Sequence, residues 1–169
     1  MKNIHIFITA LFVLLTFSSC EKYKTYENGR LPYLVEIPTD WNMGESSPVL
    51  IKFYNADRSI VISCDIGELS LIRDYQFNEF YDYLYQKHEK NIYDKEAIVK
   101  TDSLYVLNWR KADNTYVIDG SKCMNGYLCG IQVTSNSKSK EKGKKVFERI
   151  FESIHPNPNF IAPQNHEEE

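Results

Sequence analysis

The sequence lacks the short motifs that would assign it a reaction. Its 169 residues contain no G-x-S-x-G nucleophile turn, no HExxH zinc motif, no phosphate-binding loop and no G-x-G-x-x-G dinucleotide turn. They contain no Cys-x-x-Cys pair either, which removes the usual signal of a zinc site or a redox dithiol. The absence of these patterns leads us to expect no cofactor, no bound metal and no catalytic residues.

An excess of charge of one sign is also missing. Lysine and arginine number 20 and aspartate and glutamate 23, so we expect no nucleic-acid partner, which would require a basic surface. Glycine (7) and proline (6) are scarce and 43% of the residues are hydrophobic, which excludes a collagen-like fibre and a disordered chain. Four cysteines are too few for a disulfide-dense miniprotein. The composition is typical of one globular domain.

One long hydrophobic run occurs, and it lies at the N-terminus. Lys2 is followed by mostly apolar residues over 4–17 and then by two serines. Positive charge, an apolar stretch and small residues, in that order, are typical of an export signal. The run is shorter than the roughly 20 apolar residues of a membrane-spanning helix. We therefore assign residues 1–19 to a signal peptide.

The end of this signal resembles the lipobox of bacterial lipoproteins. The segment reads Phe17-Ser18-Ser19-Cys20, with two small residues directly before a cysteine. The resemblance implies that Cys20 carries acyl chains such as palmitate after cleavage and anchors the protein in a membrane of the bacterial cell envelope. We expect the outer membrane, on its periplasmic or its surface-exposed face. The alternative is an ordinary secretory signal in which Cys20 has no such role.

Composition divides the mature chain into three parts. Residues 20–30 carry little apolar material and are expected to be the lipidated cysteine and a tether. Residues 31–157 are expected to form a single domain, long enough to bury one hydrophobic core. Residues 158–169 finish on three glutamates and are expected to be a flexible acidic tail.

Hydrophobic periodicity predicts the elements of the domain. Alternation bounded by turn residues predicts strands over 33–37, 49–54, 59–66, 115–118 and 127–134. The segments 97–100 and 103–109 are expected to form one long bent strand or two short ones. Spacings of three and four predict helices over 74–88 and 146–154. Short connections favour antiparallel pairing. The expected fold class is therefore α+β, an antiparallel sheet of about six strands with two main helices, in the order β-β-β-α-β-β-β-α.

The Asn125-Gly126 pair predicts a tight hairpin, because both residues tolerate positive φ. A two-residue turn there places Cys123 opposite Leu128. Cys123 and Cys129 then point to opposite faces of the sheet, which disfavours a disulfide between them. Cys64 lies on the apolar face of its strand, where we expect a small buried side chain.

Two segments resemble those of PsbP-like proteins. The first strand of the domain runs into Ile37-Pro38-Thr39-Asp40-Trp41, and the last helix reads Val146-Phe147-Glu148-Arg149-Ile150-Phe151-Glu152-Ser153-Ile154. Together with the order of the elements, they make residues 31–155 similar to the PsbP-like fold. The resemblance implies an accessory or assembly role, and it carries over no catalytic residues.

Aromatic residues are the candidate binding positions. Tyrosine is frequent, at 12 residues. Tyr83 and Tyr85 cannot both join the buried stripe of the expected helix over 74–88, because residues two apart point in different directions. Exposed together with Trp109, they would offer a binding surface to a protein partner. The alternative is that the tyrosines reflect base composition, since alanine is rare, at 5 residues.

Lysines form the one basic cluster of the sequence. They are Lys138, Lys140, Lys142, Lys144 and Lys145. Two interpretations stay open: contact with anionic lipid headgroups, or a solvated loop and helix start.

These patterns favour a lipid-anchored envelope lipoprotein that acts by non-catalytic binding, as an accessory or assembly factor. Two alternatives stay open. One is an envelope enzyme acting on a small molecule or glycan, whose paired carboxylates would leave no spacing signature. The other is an immunity lipoprotein that neutralises a delivered toxin.

Overall fold

The structure, a computed structural model, describes residues 22–68, 92–100, 104–124 and 126–161. Within these ranges the chain forms ten strands, one α-helix and one 3-10 turn. The strands are β1 (Tyr23–Tyr26), β2 (Tyr33–Pro38), β3 (Asn42–Ser46), β4 (Leu50–Tyr54), β5 (Ile60–Glu68), β6 (Ile92–Lys100), β7 (Leu104–Lys111), β8 (Tyr116–Met124), β9 (Tyr127–Ser135) and β10 (His155–Pro156). The turn (Ser137–Ser139) leads into the helix, α1 (Lys140–Ser153).

Two antiparallel sheets and the helix form two layers. The larger sheet has the order β3-β4-β5-β9-β8-β7-β6, and the smaller has the order β1-β2-β10. The smaller sheet and α1 cover one face of the larger sheet, since α1 packs against β2 as well as against β9 and β8. The hydrophobic core lies between the layers, and Tyr33, Val35 and Ile37 of β2 are fully buried in it.

Helix α1 carries an apolar stripe at the spacing of an amphipathic helix. Val146, Phe147, Ile150 and Phe151 are buried, whereas the residues between these pairs are exposed. The stripe predicted over 146–154 is therefore confirmed.

Two glycines bring α1 close to the sheet. A Cβ atom on Gly120 of β8 would lie 2.7 Å from ring atoms of both Phe147 and Phe151. A Cβ atom on Gly143 of α1 would lie 2.8 Å from the hydroxyl of Ser135 in β9. Real Cβ atoms do not approach so closely, so a larger residue at either position would have to displace these side chains from between the helix and the sheet.

The side chain of Tyr33 joins the two layers. Its hydroxyl donates to the carbonyl oxygens of Asp65, at 2.9 Å, and Gly130, at 3.1 Å, which lie opposite each other in β5 and β9. Burial raises the pKa of this phenol well above its ordinary value, so it remains a donor at any physiological pH.

The hairpin register predicted from Asn125-Gly126 is confirmed. Met124 pairs with Tyr127 and Cys123 with Leu128, and Gly126 has a φ of 82°. The three cysteines that the structure describes are free thiols, and Cys64 is buried as expected.

The expectation of about six strands was too low, because the short strands β1, β3 and β10 carry little sequence signal. All five residues of β3 are exposed, so this edge strand has no hydrophobic alternation and was expected to be a loop. β10 has two residues and ends on a proline. β6 was expected over 97–100 and begins at Ile92. The helix expected over 74–88 lies outside the described residues.

The segment expected to be a tether belongs to the folded body from Lys22 onward. β1 pairs with β2, and the Lys22 carbonyl accepts a hydrogen bond from the Thr39 amide at 2.8 Å. Strand β1 was not predicted from the sequence because only two of its residues, Tyr23 and Tyr26, pack on the core.

The start of the expected tail is also held in place. The Asn157 side chain donates to the Leu31 carbonyl at 2.9 Å, and the Ile161 amide donates to the Gly29 carbonyl at 2.9 Å. Residues 158–161 therefore belong to the body. A polar segment rich in asparagine and proline has the composition of a flexible tail, and composition does not reveal a buried asparagine that bonds backbone carbonyls.

We expect Gly120→Ala to lower the free energy of unfolding by about 1–3 kcal/mol, because the added methyl group must displace the rings of Phe147 and Phe151. Gly67→Ala is the matched control in β5 of the same sheet, where the new methyl would lie at an ordinary 3.6 Å from Leu128. Urea denaturation measures both variants. Equal losses of stability would contradict the proposed close approach of α1.

Candidate functional site

A cleft of about 260 Å³ opens between the start of α1 and the part of the sheet formed by β7 and β8. Its floor consists of two rows of paired residues that cross from β7 through β8 to β9. The rows are Arg110–Tyr116–Ser135 and Asn108–Ile118–Val133. Because side chains alternate between the faces of a strand, both rows point to the face that α1 covers.

The wall of the cleft comes from the first two turns of α1. Lys140 and Lys144 are one turn apart and both line the cleft. Gly143 lies between them and allows the helix to rest on Ser135. The Lys140 ammonium lies over the ring of Tyr116, 4.6 Å from its centroid. This cation–π contact places a positive charge directly above the floor.

Arg110 is held in place by three neighbours. Its Nε donates to the Asp94 carboxylate at 2.8 Å and its Nη1 donates to the Asn114 side-chain oxygen at 2.9 Å. Its guanidinium also lies 5.3 Å from the centre of the Tyr93 ring. Asp94 has a φ of 52° at an irregularity in the β6–β7 pairing, a left-handed conformation that directs its carboxylate to Arg110.

The charges around the cleft are mostly positive. Three cations line it, namely Arg110, Lys140 and Lys144, and Asp94 is the one carboxylate among the described lining residues. Lys144 and Glu148 are 4.0 Å apart and each about half exposed, so this pair neutralises little of the field. Cations beside hydroxyl and amide donors are suited to binding an anion.

The sequence identified half of this cleft. All five lysines of the basic cluster are exposed, and two of them, Lys140 and Lys144, line the cleft. Arg110 and Tyr116 were missed, because they come from a different hairpin and meet the lysines only through the fold. The alternation of polar residues at Asn108 and Arg110 along β7 was the available signal.

Trp109 was expected to lie on an exposed surface, but it is buried, although it is among the residues that line the cleft. It is 8% exposed and pairs with Val117. The strand alternation that turns Asn108 and Arg110 into the cleft turns the Trp109 indole to the opposite face. Tyr83, Tyr85 and Cys20 lie outside the described residues, so their expected roles stay predictions.

Two acidic residues, Asp65 of β5 and Asp119 of β8, lie on the other face of the sheet. Asp65 of β5 is half-buried, and its carboxylate lies against Gly130 of the neighbouring strand. Burial, with a smaller contribution from the negative charge of Asp119, raises the pKa of the Asp65 carboxyl to about 7. Because both side chains point away from the face that α1 covers, the sheet separates these two residues from the cleft.

The described part of the chain offers neither a metal site nor a membrane-spanning helix. No group of three histidine, cysteine, aspartate or glutamate side chains in it is arranged to hold a metal ion. No helix in it has the length and apolar character needed to cross a bilayer.

No protein-family model matches the sequence, and no curated protein matches it either. Solved structures match its fold. The solution structure of cyanobacterial PsbP (CyanoP) from Synechocystis sp. PCC 6803 gives a TM-score of 0.55 at 17% identity, covering 83% of this chain and 96% of that one. The fold is PsbP-like. The α+β fold class expected from the sequence is thereby confirmed.

A second similar structure is LpqN of Mycobacterium tuberculosis, which is described as involved in cell envelope biogenesis. It gives a TM-score of 0.50 at 12% identity, covering 81% of this chain and 91% of that one. At identities this low, the similarity to PsbP-like structures shows the fold alone. It does not show which ligand or partner this chain binds.

The raised pKa of Asp65 predicts a loss of stability with increasing pH. An aspartate ordinarily titrates near 4, so folding favours the protonated carboxyl between about pH 4 and 7. That contribution is complete below about pH 4 and is lost as the pH rises through about 7. Asp65→Asn should therefore be more stable than the wild type at pH 8, by about 2–4 kcal/mol, and the gain should vanish near pH 4.

Urea denaturation across this pH range measures the effect. Ser63→Ala is the control, because Ser63 lies on the same face of β5 and does not titrate there. It should shift stability equally at every pH. A wild-type profile parallel to that of Asp65→Asn would contradict the assignment.

Proposed function

We propose that the protein is a lipid-anchored binding protein of the bacterial cell envelope, acting non-catalytically as an accessory or assembly factor through the cleft beside α1. The observation that carries this proposal is the cleft itself. It combines three cations from two elements with a floor that is partly apolar, at Ile118 and Val133, which is an arrangement for recognition. The partners we propose are the membrane, through Cys20, and a protein or small molecule, through the cleft.

Two observations favour the envelope. The segment Phe17-Ser18-Ser19-Cys20 resembles a lipobox. LpqN, which has a similar fold, is described as involved in cell envelope biogenesis. On this basis we place the protein in the envelope, and we propose the outer membrane as its location.

The start of the folded body supports a close attachment to the membrane. Lys22 already bonds to Thr39, so Glu21 alone separates an acylated Cys20 from the body. At about 3.5 Å per residue, the domain would lie within about 10 Å of its anchor. A ligand in the membrane or at its surface would then be presented directly to the domain.

Replacing Cys20 tests the anchor. Cys20→Ala removes the thiol that would carry the acyl chains. The protein should therefore lose the mass of these chains and move from the membrane fraction to the soluble fraction, because buried acyl chains are what hold it on the bilayer. Cys123→Ala is the control and should remain with the membranes. Fractionation followed by mass spectrometry measures both. Continued membrane association of Cys20→Ala, with no change in mass, would contradict lipidation.

Crosslinking in intact cells tests the binding role. A partner captured by the wild type should be lost with Lys140→Glu/Lys144→Glu and kept with Lys138→Glu/Lys145→Glu. The two double variants change the net charge equally, and only the first alters the cleft. Equal capture by both variants would contradict binding through this cleft.

A further inference from the structure

The charges of the cleft define the class of ligand that fits it. We propose that the cleft binds a phosphate group carried on a small molecule or lipid headgroup, an inference that rests on the proposed binding role of the same site. Lys140 and Lys144 hold it from the helix, and Arg110 holds it from the sheet.

Charge balance favours a doubly charged anion. Among the described residues that line the cleft, Arg110 is paired with Asp94, so their charges largely cancel and two lysine charges remain. A phosphate monoester carries about −1.5 to −2 at neutral pH, which matches this excess. A carboxylate supplies half of that charge and would leave one ammonium without a counter-ion.

The two lysines are available for this role. The contact of the Lys140 ammonium is with the Tyr116 ring, which positions the charge without neutralising it. Lys144 is 55% exposed and only loosely paired with Glu148, at 4.0 Å. Each can therefore form a charge-assisted hydrogen bond to a phosphate oxygen without breaking a strong ion pair.

The size and floor of the cleft describe the rest of the ligand. A volume of about 260 Å³ lies just below the range of drug-sized pockets, so the ligand is small. Ile118 and Val133 form an apolar part of the floor beside the cations. A short carbon body bearing one phosphate fits both properties, whereas a long polyanion fits neither.

The position of the cleft makes both a soluble phosphate and a lipid headgroup reachable. Arg149 of α1 lies over the ring of Tyr23, 5.6 Å from its centroid, and Tyr23 comes three residues after Cys20. Lys144 is five residues before Arg149, which is about 7.5 Å along the helix axis and about 140° around it. The cleft therefore lies on the other flank of α1 from Tyr23, about one helix diameter (about 10–12 Å) away, so a membrane surface at the anchor would be within reach of it.

Titration of the full-length protein in detergent micelles tests the inference, with glycerol 3-phosphate as the soluble probe. We expect saturable binding that weakens with added salt, since the interaction is between charges. Lys140→Gln/Lys144→Gln should weaken binding by about tenfold or more. The control Lys138→Gln/Lys145→Gln, which removes the same charge outside the cleft, should change the affinity by less than about twofold.

A second arm separates the two sources of phosphate. The same variants are titrated with phosphatidylcholine bilayer discs that contain phosphatidic acid, a lipid whose headgroup is a phosphate monoester, and with discs of phosphatidylcholine alone. Binding of glycerol 3-phosphate identifies a soluble ligand, and binding of the phosphatidic acid discs alone, lost in the cleft variant, identifies a lipid headgroup. Absence of both, or equal binding by the cleft variant and its control, overturns the proposal.

Repeating the titration with Cys20→Ala keeps this inference distinct from the anchor. Phosphate binding that survives in Cys20→Ala depends on the cleft and not on lipidation. Membrane attachment of a wild-type protein that binds no phosphate leaves the anchor standing and refutes the phosphate site.

Discussion

The close contact between α1 and the larger sheet is the constraint on which the rest of the structure depends. Gly120 leaves room for the rings of Phe147 and Phe151, and Gly143 lets the first turns of the helix rest on Ser135. With α1 this close to the larger sheet, β2 packs beside the helix over the same face of the sheet. The Tyr33 hydroxyl can then reach the carbonyls of β5 and β9. Helix position thus determines both the depth of the core and the alignment of the two layers.

The cleft is a consequence of the same contact. α1 packs over β8 and β9, so the polar residues of β7 are left beside the start of the helix. Lys140 and Lys144 therefore face Arg110 across a floor made by β8 and β9, and positive charge from two elements meets there. The acidic Asp65 lies on the opposite face, where its carboxyl does not reduce the field of the cleft.

The sequence predicted those elements in which hydrophobic residues recur at the spacing of a strand or a helix. It did not predict features that depend on contacts between distant parts of the chain. The register around Asn125-Gly126 followed from alternation and turn chemistry, and the helix over 146–154 followed from its stripe. β3 was missed because an exposed edge strand has no apolar alternation. The role of Asn157 was invisible because its partners lie more than a hundred residues away in the sequence. For the same reason the lysines of the cleft could be noticed, but not their meeting with Arg110.

The central claim is that α1, β7 and β8 together form an anion-binding cleft, and an NMR titration of the intact protein with glycerol 3-phosphate tests it most directly. The account predicts that the largest shifts of backbone and side-chain signals cluster at Arg110, Tyr116, Lys140 and Lys144, with small changes at β1 and β3. Shifts centred elsewhere, or spread evenly over all exposed lysines, would contradict the presence of a defined binding site in the cleft. They would indicate that the lysine cluster is a solvated surface that attracts anions without specificity.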